Sequence, residues 1–440
     1  MSMADWTQLP HDILWTNILC KLSVVDHYRL SLVCKSWRSV AVEYINGYPS
    51  PGAPPCLMVP GTDILRDTNC KTRRILVSPV LLPPNNNHIP KVGVPHVDLC
   101  RGSYQGWLVM INNDMDMYLL NPFSRKRIDL PSVMTLEMPC PRDRFMCKWQ
   151  ISKAFLSTTP TNSNCCFVMV IHKGFREFAY CKVGDTTWRP INGPDLTGKP
   201  YSVSTSAYWD AIYLKGKFYV IAGTKVIYVC DLAAIEPTMI EYCSGPEPSP
   251  NSSQMYLVES GEGELLLIFR ISTCHYDLID DELECVEVHL RRTANKSPVK
   301  HIEIPSKHSR YEDVIDTYDY DNNFLHQYHN NQFVTQYFEV YKLDTRSKSE
   351  PSWTELEESL NGESLFVGLN QSFSISNPRL FGYKENKIYF TDNALTTHQI
   401  FCCSGNDMGV FDLKECTVES LDMRHFKYTR PPPIWVIPKP

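Results

Sequence analysis

Two hydrophobic rhythms divide the chain. Up to residue 47 the apolar positions recur at helical spacing, with Leu14, Ile18 and Leu22 every four residues and Trp15 and Leu19 beside them. Such a broad stripe predicts an amphipathic helix. Pro10 suits its first turn, where the missing N–H would have no partner in any case. Ser23 is placed to cap a second helical segment, and Asp26 sets a negative charge near its start. In a third segment Trp37, Val40, Ala41 and Tyr44 share one helical face. Three short helices of this size make a poor independent core. Part of their apolar surface is therefore expected to meet a partner, although periodicity alone would equally allow a helical hairpin packed on the rest of the chain.

The run Gly47-Tyr48-Pro49-Ser50-Pro51-Gly52-Ala53-Pro54-Pro55 cannot continue a helix. It marks 48–54 as a joint between an N-terminal helical module, 1–47, and a second unit, 55–440. Beyond it, short β-rich runs take over: 107–111, 118–120, 167–171, 218–222, 226–230, 265–271, 338–343 and 387–391. Many short strands separated by turn residues predict an all-β sandwich, barrel or propeller. A weak repeat favours the propeller. Gly106-Trp107-Leu108-Val109, a turn at Asn112-Asn113, Tyr118-Leu119-Leu120-Asn121-Pro122 and then Lys126 to Pro131 outline one meander. Similar endings follow at Tyr180 to Val183 before Trp188, at Val229 to Leu232, at Val340 to Asp344 before Trp353, and at Val410 to Leu413. Repeated four-stranded units predict about six blades. Five are fairly complete. A sixth would be closed by 55–59, 74–77 and the C-terminal Ile434-Trp435-Val436, which would remove exposed sheet edges.

The segment 273–335 interrupts the fourth of these units. It holds twelve Asp or Glu against six Lys or Arg, a charge of −6 that equals that of the whole chain, and six of the thirteen histidines. His308, Asp313, Asp316, Asp319, His326 and His329 offer metal-type donors without any recognised ligand spacing. The segment reads as a polar, solvated insertion, with contact to a partner as the alternative.

Composition narrows the function further. Among 440 residues, 43% are hydrophobic and 11% aromatic, which suits a folded chain with ample core. A net charge of −6 gives no general electrostatic reason to bind nucleic acid. No run of eighteen apolar residues and no charged-then-apolar leader occurs, so neither a membrane span nor secretion is expected. The seventeen cysteines are odd in number and contain no Cys-x-x-Cys pair. They read as free thiols of a reducing compartment, serving as small core residues. No P-loop, Gly-x-Ser-x-Gly elbow or His-Glu-x-x-His is present, and Gly261-Glu262-Gly263 reads as a hairpin turn. No catalytic residue, cofactor or metal site is expected. Trp107, Trp188 and Trp353 read as blade-core residues.

Two resemblances add to this reading. Leu9-Pro10 at the start and Leu30-Ser31-Leu32-Val33-Cys34-Lys35-Ser36-Trp37 at the finish resemble an F-box. That family implies a docking module for a Skp-type adaptor, and through it a cullin. The implied contacts are Leu9, Pro10, Ile13, Leu14, Ile18, Leu22, Leu30, Val33, Cys34 and Trp37. Leu9 and Leu22 stand thirteen positions apart where the F-box pattern has twelve, whereas Leu22 to Val33 matches. One extra residue turns a helix face by about 100° unless a π-bulge or a shifted start absorbs it. Whether Ile13 or Leu14 faces the partner stays open at this point.

The second resemblance rests on Gly102-Ser103-Tyr104-Gln105-Gly106-Trp107-Leu108, Leu119-Leu120-Asn121-Pro122-Phe123, Leu365 to Asn370, Asn386 to Asp392 and Pro431-Pro432-Pro433-Ile434-Trp435. These are similar to the large plant F-box family with a kelch-like domain. The resemblance implies a substrate receptor of a Skp–cullin–F-box ubiquitin ligase, with an unknown protein substrate and no enzymatic activity of its own. It is expected in the cytoplasm or nucleus. An F-box scaffold or regulator outside a ligase is the alternative. A propeller enzyme of the galactose-oxidase type would need a copper site that cannot be assigned here.

Overall fold

The computed structural model describes residues 6–19, 22, 30, 33–47, 54–59, 73–77, 91–95, 98–136, 150–160, 165–194, 207–249, 252–275, 285–287, 303–305, 332–345, 351–391, 407–421 and 433–439. The joint at 48–53, Ser23, Asp26 and the six candidate metal donors between 308 and 329 lie outside them. Beyond the helical module the described residues are almost wholly β-structure. Five sheets have four antiparallel strands. Sheet I comprises Leu99–Tyr104, Trp107–Ile111, Met117–Asn121 and Lys126–Asp129. Sheet II comprises Ile151–Leu156, Phe167–His172, Glu177–Lys182 and Arg189–Ile191. Sheet III comprises Tyr208–Leu214, Lys217–Ala222, Val226–Cys230 and Met239–Ser244. Sheet IV comprises Ser252–Glu259, Leu265–His275, Gln332–Asp344 and Ser352–Glu355. Sheet VI pairs Ile434–Val436 with Cys56–Val59, followed by Arg73–Val77 and Lys91–Pro95.

Sheet V departs from the pattern. It has five strands, Phe373–Ile375, Ser364–Val367, Lys387–Phe390, Gly409–Asp412 and Thr417–Ser420, and its second and third run parallel. The expectation of about six similar blades therefore holds only in part: five sheets are regular and one is irregular.

Alternation along the strands explains the assembly. Successive side chains of a strand point to opposite faces, so Leu108 and Met110 pack toward sheet VI while Val109 and Ile111 pack toward sheet II. Each sheet shares an apolar cluster with the next. Met169 and Tyr180 meet Val220 and Cys230 between sheets II and III. Ile221 and Ile227 meet Leu257 and Phe269 between III and IV. Ile268 and Val340 meet Leu365 and Ile388 between IV and V. Phe366 and Tyr389 meet Leu57, Val59 and Trp435 between V and VI, which closes the circuit. Outer strands such as Lys126–Asp129 are mostly exposed. The Asx turns that precede them, at Asn121, Asp231 and Asp412, account for the repeated acid or amide read in the sequence.

Four innermost strands, Leu99–Tyr104, Ile151–Leu156, Tyr208–Leu214 and Ser252–Glu259, were not legible as strands. Arg101, Lys153 and Asp210 interrupt their apolar pattern yet are buried. The strand Lys91–Pro95 also escaped the reading. In sheet IV the two middle strands pair continuously from Leu266 opposite Lys342 to His275 opposite Gln332. Thr273–His275 and Gln332–Thr335 thus belong to the sheet, and the insertion spans 276–331 instead of 273–335. Within it Cys285–Glu287 pairs with Glu303–Pro305.

The expectation of cysteines as small core residues holds for part of those described, with Cys34, Cys243 and Cys416 only half-buried. Cys56, Cys100, Cys166, Cys181 and Cys230 are buried free thiols, and neighbouring Cys165 points outward. Burial pushes the Cys56 and Cys230 thiols up to about 12, leaving them unreactive. Trp107 and Trp188 are buried as expected, whereas Trp353 is partly exposed and donates to the Ser244 carbonyl at 2.8 Å.

Closure rests on the last strand. Ile434, Trp435 and Val436 are fully buried, and Trp435 packs edge-on to Phe366 at 5.1 Å. Trp435→Ala should lower unfolding stability by about 3–5 kcal/mol, read from the denaturant midpoint of the full chain. A change under about 1 kcal/mol would mean that the ring does not depend on this strand.

Candidate functional site

Two regions of the chain carry functional geometry, beginning with the helical module. His11–Ile13 forms a short α-helical segment that passes directly into a π-helical turn, Leu14–Ile18. Pro10 stands just before the first helical residue, and its carbonyl accepts the Leu14 N–H at 3.1 Å. A π turn closes from residue i to i+5, and the Leu19 N–H indeed reaches the Leu14 carbonyl. The extra residue between Leu9 and Leu22 is absorbed there. Leu14 and Leu19 consequently stack on one face, both fully buried, against Leu30, Val40 and Ala41. The first helix is therefore not the regular α-helix expected, and the second helical segment lies largely outside the described residues.

The Val-Cys-x-x-Trp signature also acquires a physical account. Cys34 precedes the helix Lys35–Gly47, and its Sγ accepts the Trp37 N–H at 3.4 Å. The thiol thereby takes the place of an N-cap oxygen. The Trp37 indole donates to the Trp6 carbonyl at 2.9 Å, which ties the chain's start to this helix.

The predicted contact residues separate into three groups. Leu14 and Leu30 are buried in the module's own core, where they hold the helices together. Leu9, Ile18, Leu22 and Trp37 are half-buried and pack around that core, with Cys34 half-buried as the cap. Pro10, Ile13 and Val33 are exposed. Val33 is 61% accessible and Ile13 38%, costly positions for apolar side chains unless something covers them. Of Ile13 and Leu14, Ile13 is the exposed one and Leu14 the buried one. Trp6, 68% accessible, belongs with the exposed residues and was missed as a candidate, although its aromatic bulk before Leu9-Pro10 was a signal.

The second region lies where the innermost strands converge. Lys153 of sheet II and Asp210 of sheet III form a fully buried ion pair at 2.7 Å. Lys153 also donates to the Gly368 carbonyl of sheet V at 2.8 Å. Asp210 accepts the Leu257 N–H of sheet IV at 3.0 Å and the Ser372 hydroxyl at 3.3 Å. Four sheets are stitched through one pair. Burial pushes the Asp210 carboxyl up and the Lys153 amine down, and each opposes the shift of the other by its charge. A second hub is Arg270 of sheet IV, which reaches Asp407 at 2.8 Å and the Thr391 carbonyl at 2.9 Å beside sheet V.

Close backbone approach is required for this convergence. A Cβ on Gly102 would stand 2.2 Å from the Ala154 carbonyl oxygen, so only glycine lets sheets I and II meet there. Gly106 has φ +86° in the following hairpin, and a Cβ there would stand 2.5 Å from the Lys439 carbonyl oxygen. That same oxygen accepts the Asn121 amide at 2.8 Å. The Gly102 to Leu108 and Asn121-Pro122 motifs are therefore fittings for the C-terminal segment.

Above the buried pair is a cavity of about 540 Å³, lined by the ends of inner strands from sheets I, III, IV and V together with Ile437. Its floor is fixed by polar contacts. Gln371 donates its N–H to the Ser103 carbonyl at 3.2 Å and accepts the Leu156 N–H at 3.1 Å, and the Ser103 hydroxyl donates to the Trp435 carbonyl. Its rim includes the hairpin turn Ser260–Glu264, closed by hydrogen bonds between Ser260 and Glu264 and from Gly263 to Ser260. The Gly261-Glu262-Gly263 run is a turn, as read. Among the described residues no group of three or more His, Cys, Asp or Glu side chains is arranged to hold a metal. No helix among them is long and apolar enough to cross a membrane.

Comparison with known proteins gives two family matches. The F-box domain matches residues 6–43, and the KIB1-4 beta-propeller matches residues 81–412. The propeller family is thus the KIB type and not the kelch-like type expected from the blade motifs. A probable F-box protein of Arabidopsis thaliana, At4g22165, is 25% identical over 52% of this chain and 60% of its own length. F-box protein SKIP23 of the same plant is 21% identical over 99% of this chain and 96% of its own. F-box protein KIB4, also from Arabidopsis thaliana, is 25% identical over 57% of this chain and 65% of its own. The matched region spans less than two thirds of At4g22165 and KIB4.

The buried pair yields a stability test. Lys153→Met leaves Asp210 uncompensated and should cost about 3–5 kcal/mol. Adding Asp210→Asn, which keeps an acceptor for the Leu257 N–H, should restore a large part of that loss in chemical denaturation. Equal destabilisation of the single and double variants would show that the ion pair does not join the sheets.

Proposed function

Because this chain belongs to the KIB1-4 beta-propeller family and carries an F-box domain, we propose that it is a substrate receptor of a Skp–cullin–F-box ubiquitin ligase. The observation that carries the proposal is the pairing of an F-box, whose exposed apolar residues want a partner, with a propeller that presents a floored cavity. The F-box docks a Skp-type adaptor, and through it the cullin. The propeller holds a protein substrate where other subunits can ubiquitylate it. Proximity and orientation supply the rate gain, so no catalytic residue of this chain is needed and it is not itself an enzyme. Such a receptor works in the cytoplasm or nucleus, where that machinery acts. The blade motifs that suggested a kelch-like propeller serve, in this reading, to close the ring beneath the substrate face.

Adaptor contact is assigned to the residues that are exposed, Ile13 and Val33, with the half-buried Leu22 and Trp37 contributing from behind. Ile13→Ala with Val33→Ala in the full chain should weaken binding to a purified Skp-type adaptor at least tenfold, since buried apolar anchors at interfaces typically cost about 2 kcal/mol when truncated. The melting temperature should hold, because neither side chain belongs to the buried cluster. Leu14→Ala should do the reverse and unfold the module at a cost of about 2–5 kcal/mol. No adaptor binding by the unaltered chain in calorimetry or co-purification would overturn the proposal.

A further inference from the structure

We infer that the cavity above the buried ion pair selects a basic segment of the substrate, holding an arginine or lysine side chain between carboxylates and aromatic rings. The inference rests on the substrate-receptor reading and adds the substrate's chemistry to it.

The lining supplies acceptors. Glu259 and Glu262 are exposed on the rim, and among the described residues no lysine or arginine lines the space. Cations beside it include Lys342, which is engaged by Glu264 and stands 3.8 Å from Glu262, and Lys439, whose backbone packs against Gly106 next to Gln105; neither belongs to the lining. Glu363 deepens the negative field from behind the turn. It is mostly buried, accepts the Gly261 N–H at 2.8 Å, and its carboxyl is pushed up by burial and by Glu262 and Glu264. Gln105, which also lines the cavity, has a shielded Oε1 that receives no hydrogen bond within the described residues.

Aromatic walls complete the match. Tyr104, Tyr213 and Phe373 also line the same space, with Phe373 stacked on Phe366 at 5.0 Å. Burial, then the neighbouring Glu259 charge, raises the Tyr104 phenol, which keeps it neutral beside that carboxylate. Carboxylate rim plus aromatic wall is the combination that binds guanidinium and ammonium groups, by charge-assisted hydrogen bonds and by cation–π attraction. A volume of about 540 Å³ falls in the range of sites that enclose a ligand of a few side chains. In the polar floor Ser372 donates to Asp210 of the buried pair and Gln371 accepts the Leu156 N–H, which fixes the depth. Selection is therefore assigned to the rim.

The test uses the full chain bound to its Skp-type adaptor and a positional-scanning library of random decapeptides. Arginine and lysine should be enriched over glutamine and glutamate at one or two positions. For an enriched peptide, Glu259→Gln with Glu262→Gln should weaken binding about three- to tenfold, the range expected for losing two rim charges. Glu259→Lys should abolish the preference. Both variants should keep the melting temperature and adaptor affinity of the unaltered chain. Selection for acidic or purely apolar peptides, or basic selection that survives both variants, would overturn the inference while leaving the receptor reading intact. Failure of the unaltered chain to bind the adaptor would instead sink that reading, whatever the library shows.

Discussion

Every sheet of this propeller is apolar on both faces, and each face must be covered by a neighbour. An open row of such sheets would leave two bare ends. The short strand Ile434–Val436 resolves this by pairing with Cys56–Val59, so that the first and last parts of the β-region share one sheet. Phe366 then stacks on Tyr389 and meets Trp435 edge-on, covering what would otherwise be the free face of sheet V. Gly106 and Asn121 secure the residues just beyond this strand, through the carbonyl of Lys439. Stability of the whole ring is thus concentrated in a few residues near the C-terminus.

Closure has a second consequence. Bringing inner strands together around one axis leaves little room for large apolar side chains on all of them, and backbone groups there need partners. Lys153 and Asp210 meet that need, each satisfied by carbonyl or amide groups of other sheets. A buried pair of this kind adds little net stability compared with apolar packing but penalises any arrangement that separates its members. It therefore sets how the sheets register against each other, and with that the floor of the cavity. The rim is free of this constraint, since the Ser260–Glu264 turn is held by its own backbone bonds and by Glu363. Floor and rim are thus held by separate sets of contacts.

The helical module solves a different problem. An inserted residue would normally swing a helix face away from its partner, but the π turn confines the mismatch to one stretch, Leu14–Ile18. Leu14 and Leu19 stay in the core, and Ile13 is turned outward. Residues that stabilise the module are thereby separated from the apolar residues left exposed.

Much of this was legible in the sequence because it depends on local pattern. Helical periodicity before residue 47, β-runs after it, the turn at Gly261 to Gly263 and the closing strand at Ile434 to Val436 follow from side-chain spacing and turn chemistry. The F-box signature likewise lies in contiguous residues. The inner strands were hidden, because Arg101, Lys153 and Asp210 look like loop residues until partners distant in the chain surround them. The irregular pairing of sheet V was hidden too, since its parallel strands are joined by a connection that no local rule specifies. Which apolar residues of the F-box are exposed depended on how its helical segments pack on one another. The cavity depended on five chain segments meeting. Sequence alone determined the division into a helical module and a β-rich unit and many of the individual β-runs and turns. Tertiary structure alone decided the burial of charge, the direction of Ile13 and the shape of the site, because those follow from contacts between residues far apart in the chain.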